Sequence, residues 1–145
     1  MATWGNIGAA IYSLLNTGDT LTIYGGRIVP NKARFNTTTY PIIVYTITDT
    51  EPTNTKGANG YSRMDVLQVQ IAIFHKDYSD LIEGQDKVRA ALDYVTPGNY
   101  PSTGSNVVKL QSCSFQDMRQ DFIEDFDEQG LYVSYMNYQF RQQRG

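Results

Sequence analysis

From Leu67 to Phe74 the chain reads LQVQIAIF, so that Leu67, Val69, Ile71 and Ile73 alternate with Gln68, Gln70, Ala72 and Phe74. A period of two sends successive side chains to opposite faces of a strand, and this stretch predicts a β-strand with one face in a core. Whatever the fold, it must contain a sheet with a buried side. Ile42, Ile43, Val44 and Tyr45 have strong β propensity and follow Pro41, which lacks a backbone N–H and belongs at a strand start or on an edge. Val107 to Phe115 alternates less cleanly, and Leu131, Val133 and Tyr135 alternate with Tyr132, Ser134 and Met136 in a last strand that continues toward Phe140.

Two segments carry a helical period instead. Ile7, Ala10, Ile11, Leu14 and Leu15 share one face of a helix over residues 5–16, which Asn16, Thr17, Gly18 and Asp19 stop. Ser79 is placed to cap a second helix, with Leu81, Gln85, Val88, Leu92 and Val95 as its stripe and Pro97-Gly98 as its end. Between the first helix and Pro41, Leu21 to Tyr24 reads as a short strand running into Gly25-Gly26, a pair that turns at little steric cost. Arg27 to Thr39 then reads as an extended basic arm. Residues 49–60, DTEPTNTKGANG, read as a long exposed loop or wide hairpin turn, and Pro97 to Asn106 as a second loop.

This order predicts an α+β fold, a single domain over residues 1–145 with an antiparallel-rich sheet and both amphipathic helices packed on one face. A chain of 145 residues with 41% hydrophobic and 19% charged residues has the size and balance of one packed core. Its formal net charge of −3 supplies no excess positive field for a phosphate backbone, so direct nucleic-acid binding is not expected. The single cysteine, Cys113, has no second thiol for a disulfide or a metal pair and reads as a small strand residue. No apolar run is long enough to span a bilayer, and residues 1–15 lack a basic start and continuous apolar centre, so the expectation is a cytoplasmically made protein with no membrane partner. Eleven tyrosines suit half-buried sheet surfaces and protein interfaces.

Chemistry is harder to find. Asp117 to Glu128, DMRQDFIEDFDE, is the densest charge cluster, and Asp125, Asp127, Gln129 and Gly130 resemble the start of a calcium loop. The position that needs a bidentate glutamate is Met136, inside a strand, so the stretch reads as a charged turn between the last two strands. His75 is alone and has no announced nucleophile beside it. No glycine-rich phosphate loop, nucleophile elbow or paired-cysteine spacing is present, and Gly57-Ala58-Asn59-Gly60 reads as a turn. The Asn36-Thr37-Thr38 sequon matters only in a secretory pathway. The reading is non-enzymatic, with no catalytic residue, cofactor or metal.

The order of elements resembles the tail completion and tail terminator proteins of tailed bacteriophages, a family of head-to-tail joining proteins related in fold to the lambda-type tail terminator. The resemblance rests on the opening helix ending in Leu14-Leu15, Gly26-Arg27-Ile28, the polar interval before Pro41-Ile42-Ile43-Val44-Tyr45, Val69 to Phe74, the helix around Val88-Arg89-Ala90-Ala91-Leu92, and Leu131 to Tyr138. It implies a twisted sheet with two helices on one side and a hexameric ring at the head-proximal end of the tail in the virion. That ring would cap the tail tube, end its polymerisation and meet the neck or capsid connector, and also the sheath if the tail is contractile. A head-to-tail adaptor that does not terminate the tube, and a small enzyme or ligand-binding domain, remain alternatives. The acidic stretch departs from the family pattern.

A ring needs two unlike surfaces. The chain offers a basic arm with Arg27, Lys32 and Arg34 and an acidic turn with Asp121, Glu124, Asp125, Asp127 and Glu128, which are expected to face each other across neighbouring protomers. The segment Thr53, Asn54, Thr55, Lys56, Gly57, Ala58 and Asn59 is a candidate tube- or lumen-facing loop.

Overall fold

The computed structural model describes residues 7–30, 40–57, 60–93, 95–100, 108–123 and 130–143. The elements run α1 (Ile7–Leu15), α2 (Gly18–Tyr24), β1 (Ile28–Pro30), β2 (Ile42–Gly57), β3 (Gly60–His75), α3 (Tyr78–Leu92), β4 (Gly98–Tyr100), β5 (Val108–Ile123) and β6 (Leu131–Gln143). The strands form one sheet in the order β1-β2-β3-β6-β5-β4. Every pairing is antiparallel except β1 with β2, which is parallel. The predicted α+β class holds, with three helices where two were expected.

The alternating stretch of β3 lies at the centre of this sheet, and its period of two separates two cores. Leu67, Val69, Ile71 and Ile73 join Ile43, Met136, Tyr138 and Phe140 under the helices, which contribute Ile7, Ala10, Ile11, Leu15, Leu81, Val88 and Leu92. On the reverse face Ala72 and Phe74 join Ile42, Val44, Leu131 and Val133 in a second buried cluster. The sheet is thus covered on both sides at the His75 end, which is why Ile42 to Val44 is continuously apolar rather than alternating.

Four corrections concern the shape of the elements. The segment Leu21 to Tyr24, expected as a short strand, is the end of helix α2; its buried residues are Thr20 and Tyr24, four apart, and Leu21 is exposed. Local propensity loses to this helical spacing, to Asp19 in the first turn and to Gly25, whose N–H closes the helix on the Leu21 carbonyl at 2.7 Å. Residues 49–57 are not loop but the distal half of β2, paired with β3 from Asp49↔Gln68 to Gly57↔Gly60. Pro52 fits there because β2 has no second neighbour at that point among the described residues, so its nitrogen needs no partner. Asp117 to Ile123 likewise continues β5 rather than turning, and within the expected second loop Gly98–Tyr100 forms β4.

α3 begins two residues earlier than expected. Asp77, not Ser79, is the N-cap: its carboxylate accepts from the Ser79 N–H at 3.0 Å and the Ser79 hydroxyl at 2.9 Å. Leu81, Gln85, Val88 and Leu92 are buried as their spacing required. So is Gly84, where a Cβ would run into the Tyr24 hydroxyl and come within 2.8 Å of His75 Nε2. That glycine lets α3 settle onto the Tyr24–His75 pair. In an exposed helix, glycine to alanine stabilises; here Gly84→Ala is expected to destabilise the protein by about 1–3 kcal/mol, read as a lower urea midpoint at unchanged slope.

Candidate assembly surfaces

Arg27 leads the chain from α2 into the sheet edge. Its N–H donates to the Tyr24 carbonyl at 3.0 Å, its carbonyl accepts from the Ile43 N–H at 2.9 Å, and its side-chain Nε donates to the Pro41 carbonyl at 2.8 Å. The arm is therefore tied down at its root, and its first residues, Ile28–Pro30, are strand β1 rather than free extended chain. Lys32 and Arg34 lie outside the described residues. Of the acidic group, Asp121 is exposed in β5, with its carboxylate accepting the Phe122 N–H at 2.8 Å. Glu124, Asp125, Asp127 and Glu128 lie outside the described residues, in the connection from β5 to β6.

Strand register relates the two regions. Ile28 pairs with Ile43, Ile43 with Ile73, Ile73 with Ser134, and Ser134 with Gln120. Arg27 and Asp121 each stand next to this row, at the two sides of the same end of the sheet. Four strand spacings of about 4.8 Å put β1 and β5 about 19 Å apart. Arg27 and Asp121 are not brought together within one chain.

The candidate loop 53–59 has a different form from the one expected. β6 stops pairing with β3 at Met64↔Gln143, so Asn54–Gly57 and Gly60–Arg63 continue as a two-stranded ribbon. At about 3.4 Å per residue its four residues extend the sheet by about 14 Å, at the end opposite the acidic connection. Ala58 and Asn59 lie outside the described residues.

A third surface escaped the sequence because its parts come from three elements. Tyr78 on α3 meets Tyr132 on β6 with ring centroids 5.5 Å apart, and Phe122 on β5 meets the same Tyr132 at 4.7 Å. The Tyr78 hydroxyl donates to Gln120 Oε1 at 3.1 Å. Tyr78 is 48% exposed, Phe122 39% and nearby Met118 41%, which makes an open aromatic platform beside the acidic connection.

His75 is buried, its Nε2 2.6 Å from the Tyr24 hydroxyl in an edge-to-face pair. Burial lowers its pKa to about 4 against a small opposing pull from Asp80, and burial also raises that of Tyr24, so both rings are neutral at pH 7. His75 lines a cleft of about 300 Å³ together with Ile23, Tyr40, Pro41, Lys76, Asp77, Asp80 and Glu83. Cys113 is half-buried in β5, its thiol pushed up to about 12 by burial and by Asp93. Among the described residues no group of three or more His, Cys, Asp or Glu can hold a metal ion, and no helix is long and apolar enough to cross a membrane.

Comparison with known proteins gives one kind of answer. No protein-family model and no curated protein matches the sequence. Among solved structures, a chain of the virion of a native gene transfer agent (GTA) particle has a similar fold, with a TM-score of 0.62 and 14% identity over 97% of this chain and 96% of that one. At that identity the likeness is one of fold.

Because His75 is neutral when folded and titrates near pH 6.5 when unfolded, the unfolded state binds the extra proton between those values. Its contribution is complete above pH 6.5 and is lost as pH falls toward about 4. At about 1.4 kcal/mol per pKa unit the loss is about 3 kcal/mol. Denaturant unfolding from pH 7 to 4 is expected to show this slope in the native protein and to lack it in His75→Gln.

Proposed function

We propose that this chain is a structural, non-enzymatic virion protein that assembles as a ring, expected to be hexameric, at the head-proximal end of a phage-like tail. There it caps the tail tube, ends its polymerisation and meets the neck or capsid connector. The observation that carries the reading is the fold shared with a virion chain over nearly the full length of both, in the order of elements that resembles the tail terminators. The sheet supports it independently. Its two sides differ, basic chain following β1 on one and the strand leading into acidic chain on the other, and unlike sides are what a head-to-tail contact joins. The two-stranded ribbon is a projecting element suited to reach a tube subunit.

Electron microscopy of the purified protein with and without phage tail tubes tests the role. Rings capping tube ends, with tube lengthening arrested, are the expected result. Rings that join tubes to connectors while the tubes still lengthen would assign an adaptor instead, and a strict monomer that binds neither partner would overturn both. Deleting Thr53–Asn59 leaves Gly60–Met64 to close the hairpin between Pro52 and Asp65; unfolding is expected to be unchanged within about 1 kcal/mol while capping is lost. Undiminished capping would remove the ribbon from the contact.

A further inference from the structure

The aromatic platform at the β5 edge has no role in holding the fold comparable to its exposure. Tyr78 and Phe122 flank Tyr132 at 5.5 and 4.7 Å, yet remain 48% and 39% exposed. The platform is also rigidly mounted. Tyr78 is the first residue of α3 and is held by Gln120, and Phe122 lies over Gly130, which has φ +77 and where a Cβ would collide with the Phe122 ring. Rigid aromatic side chains offer large contact area at low entropic cost. The six residues joining Ile123 to Gly130 include Glu124, Asp125, Asp127 and Glu128, so negative charge is covalently attached to the platform. Exposed aromatic faces beside carboxylates fit a cationic, partly aromatic segment.

Such a segment follows β1. Residues 31–39, NKARFNTTT, carry Lys32, Arg34 and Phe35 and no carboxylate. They leave from Pro30 and return at Tyr40, on the far side of the sheet from the platform. The first two turns of α3 stand between, with Asp77, Asp80 and Glu83 facing the cleft beside Tyr40 and Pro41 while Tyr78 faces β5 and β6. β5, which carries Phe122, lies four strand spacings, about 19 Å, from β1. We propose that the Tyr78–Tyr132–Phe122 platform is the docking site for the basic segment 31–39 of a second copy of this chain, and that this contact joins successive protomers head to tail. The inference rests on the ring reading and names its contact surface.

The test is self-association of the full chain, followed by sedimentation velocity and electron microscopy at low salt. Tyr78→Ala and the double variant Lys32→Glu/Arg34→Glu are each expected to weaken assembly at least tenfold while unfolding stays cooperative; Tyr78→Phe is expected to assemble like the native chain. Phe122→Ala is a weaker probe because Phe122 seats Gly130. An equimolar mixture of the Tyr78→Ala and Lys32→Glu/Arg34→Glu proteins retains one sound contact per pair, and is expected to give heterodimers that grow no further. Rings formed by both variants at native concentrations would overturn this contact and leave the ring reading standing. Variants that self-associate normally but no longer bind tail tubes would assign the platform to another virion protein and overturn the proposal. A native chain that never self-associates, alone or on tubes, would overturn both.

Discussion

The pairing of β3 with β2 on one side and β6 on the other is the constraint on which the rest of the molecule depends. Between Val69 and Phe74 each β3 residue has a partner on both neighbours, and its alternate side chains enter different cores. A slip of one residue would move Ile71 and Ile73 out from under the helices and put Gln70 in their place, so hydrophobic burial fixes the register. That register then sets everything peripheral. It places His75 beneath α3, Arg27 and Asp121 at opposite sides of one end, and the ribbon at the other.

At the His75 end, a buried polar pair joins the aliphatic packing that holds the helix layer to the sheet. Tyr24 and His75 come from α2 and β3, and together occupy the space that Gly84 leaves on α3. A buried hydroxyl and imidazole are costly alone and acceptable as a bonded pair. Further along α3, Arg89 forms an ion pair with Asp93 at 2.9 Å while its guanidinium lies 4.0 Å from the Phe115 ring, tying the helix to β5. The same residue types that a sequence search examines for catalysis serve here as fasteners.

Legibility followed burial. The strand at Leu67–Phe74, the start at Ile42 and the stripe of α3 could be read because each places apolar residues against a core. α2 could not, because its buried pair is Thr20 and Tyr24 and its apolar Leu21 points outward. Pairing of β2 beyond Asp49, and of β5 beyond Phe115, was hidden by polar composition: these lengths are held by backbone ladders, and the polar sequence there carries no hydrophobic period. Of the surfaces, the charges of arm and acidic connection were visible as composition, whereas the aromatic platform needed Tyr78, Phe122 and Tyr132 to be brought together by topology. The one local hint for the Tyr24–His75 pair was a glycine in the middle of an otherwise sound helix.

The edges of the sheet bear on how copies meet. Beyond Tyr45 on β2 and beyond Leu110 on β5, no outer neighbour pairs with these strands among the described residues. Long open edges invite indiscriminate pairing with other chains. Both are interrupted: β2 has an irregularity between Ile47 and Asp49 and a proline at 52, and β5 has irregularities between Leu110 and Ser112 and between Phe115 and Asp117. At the β2 irregularity the Thr48 hydroxyl donates to the Gln68 carbonyl at 3.1 Å, compensating within the chain for the broken ladder. Bulges and proline make continuous strand addition unfavourable along these edges. In the proposed ring, contact between copies would then fall to side chains, which can be specific for one partner surface, and the unlike sides of the sheet would give that contact a direction.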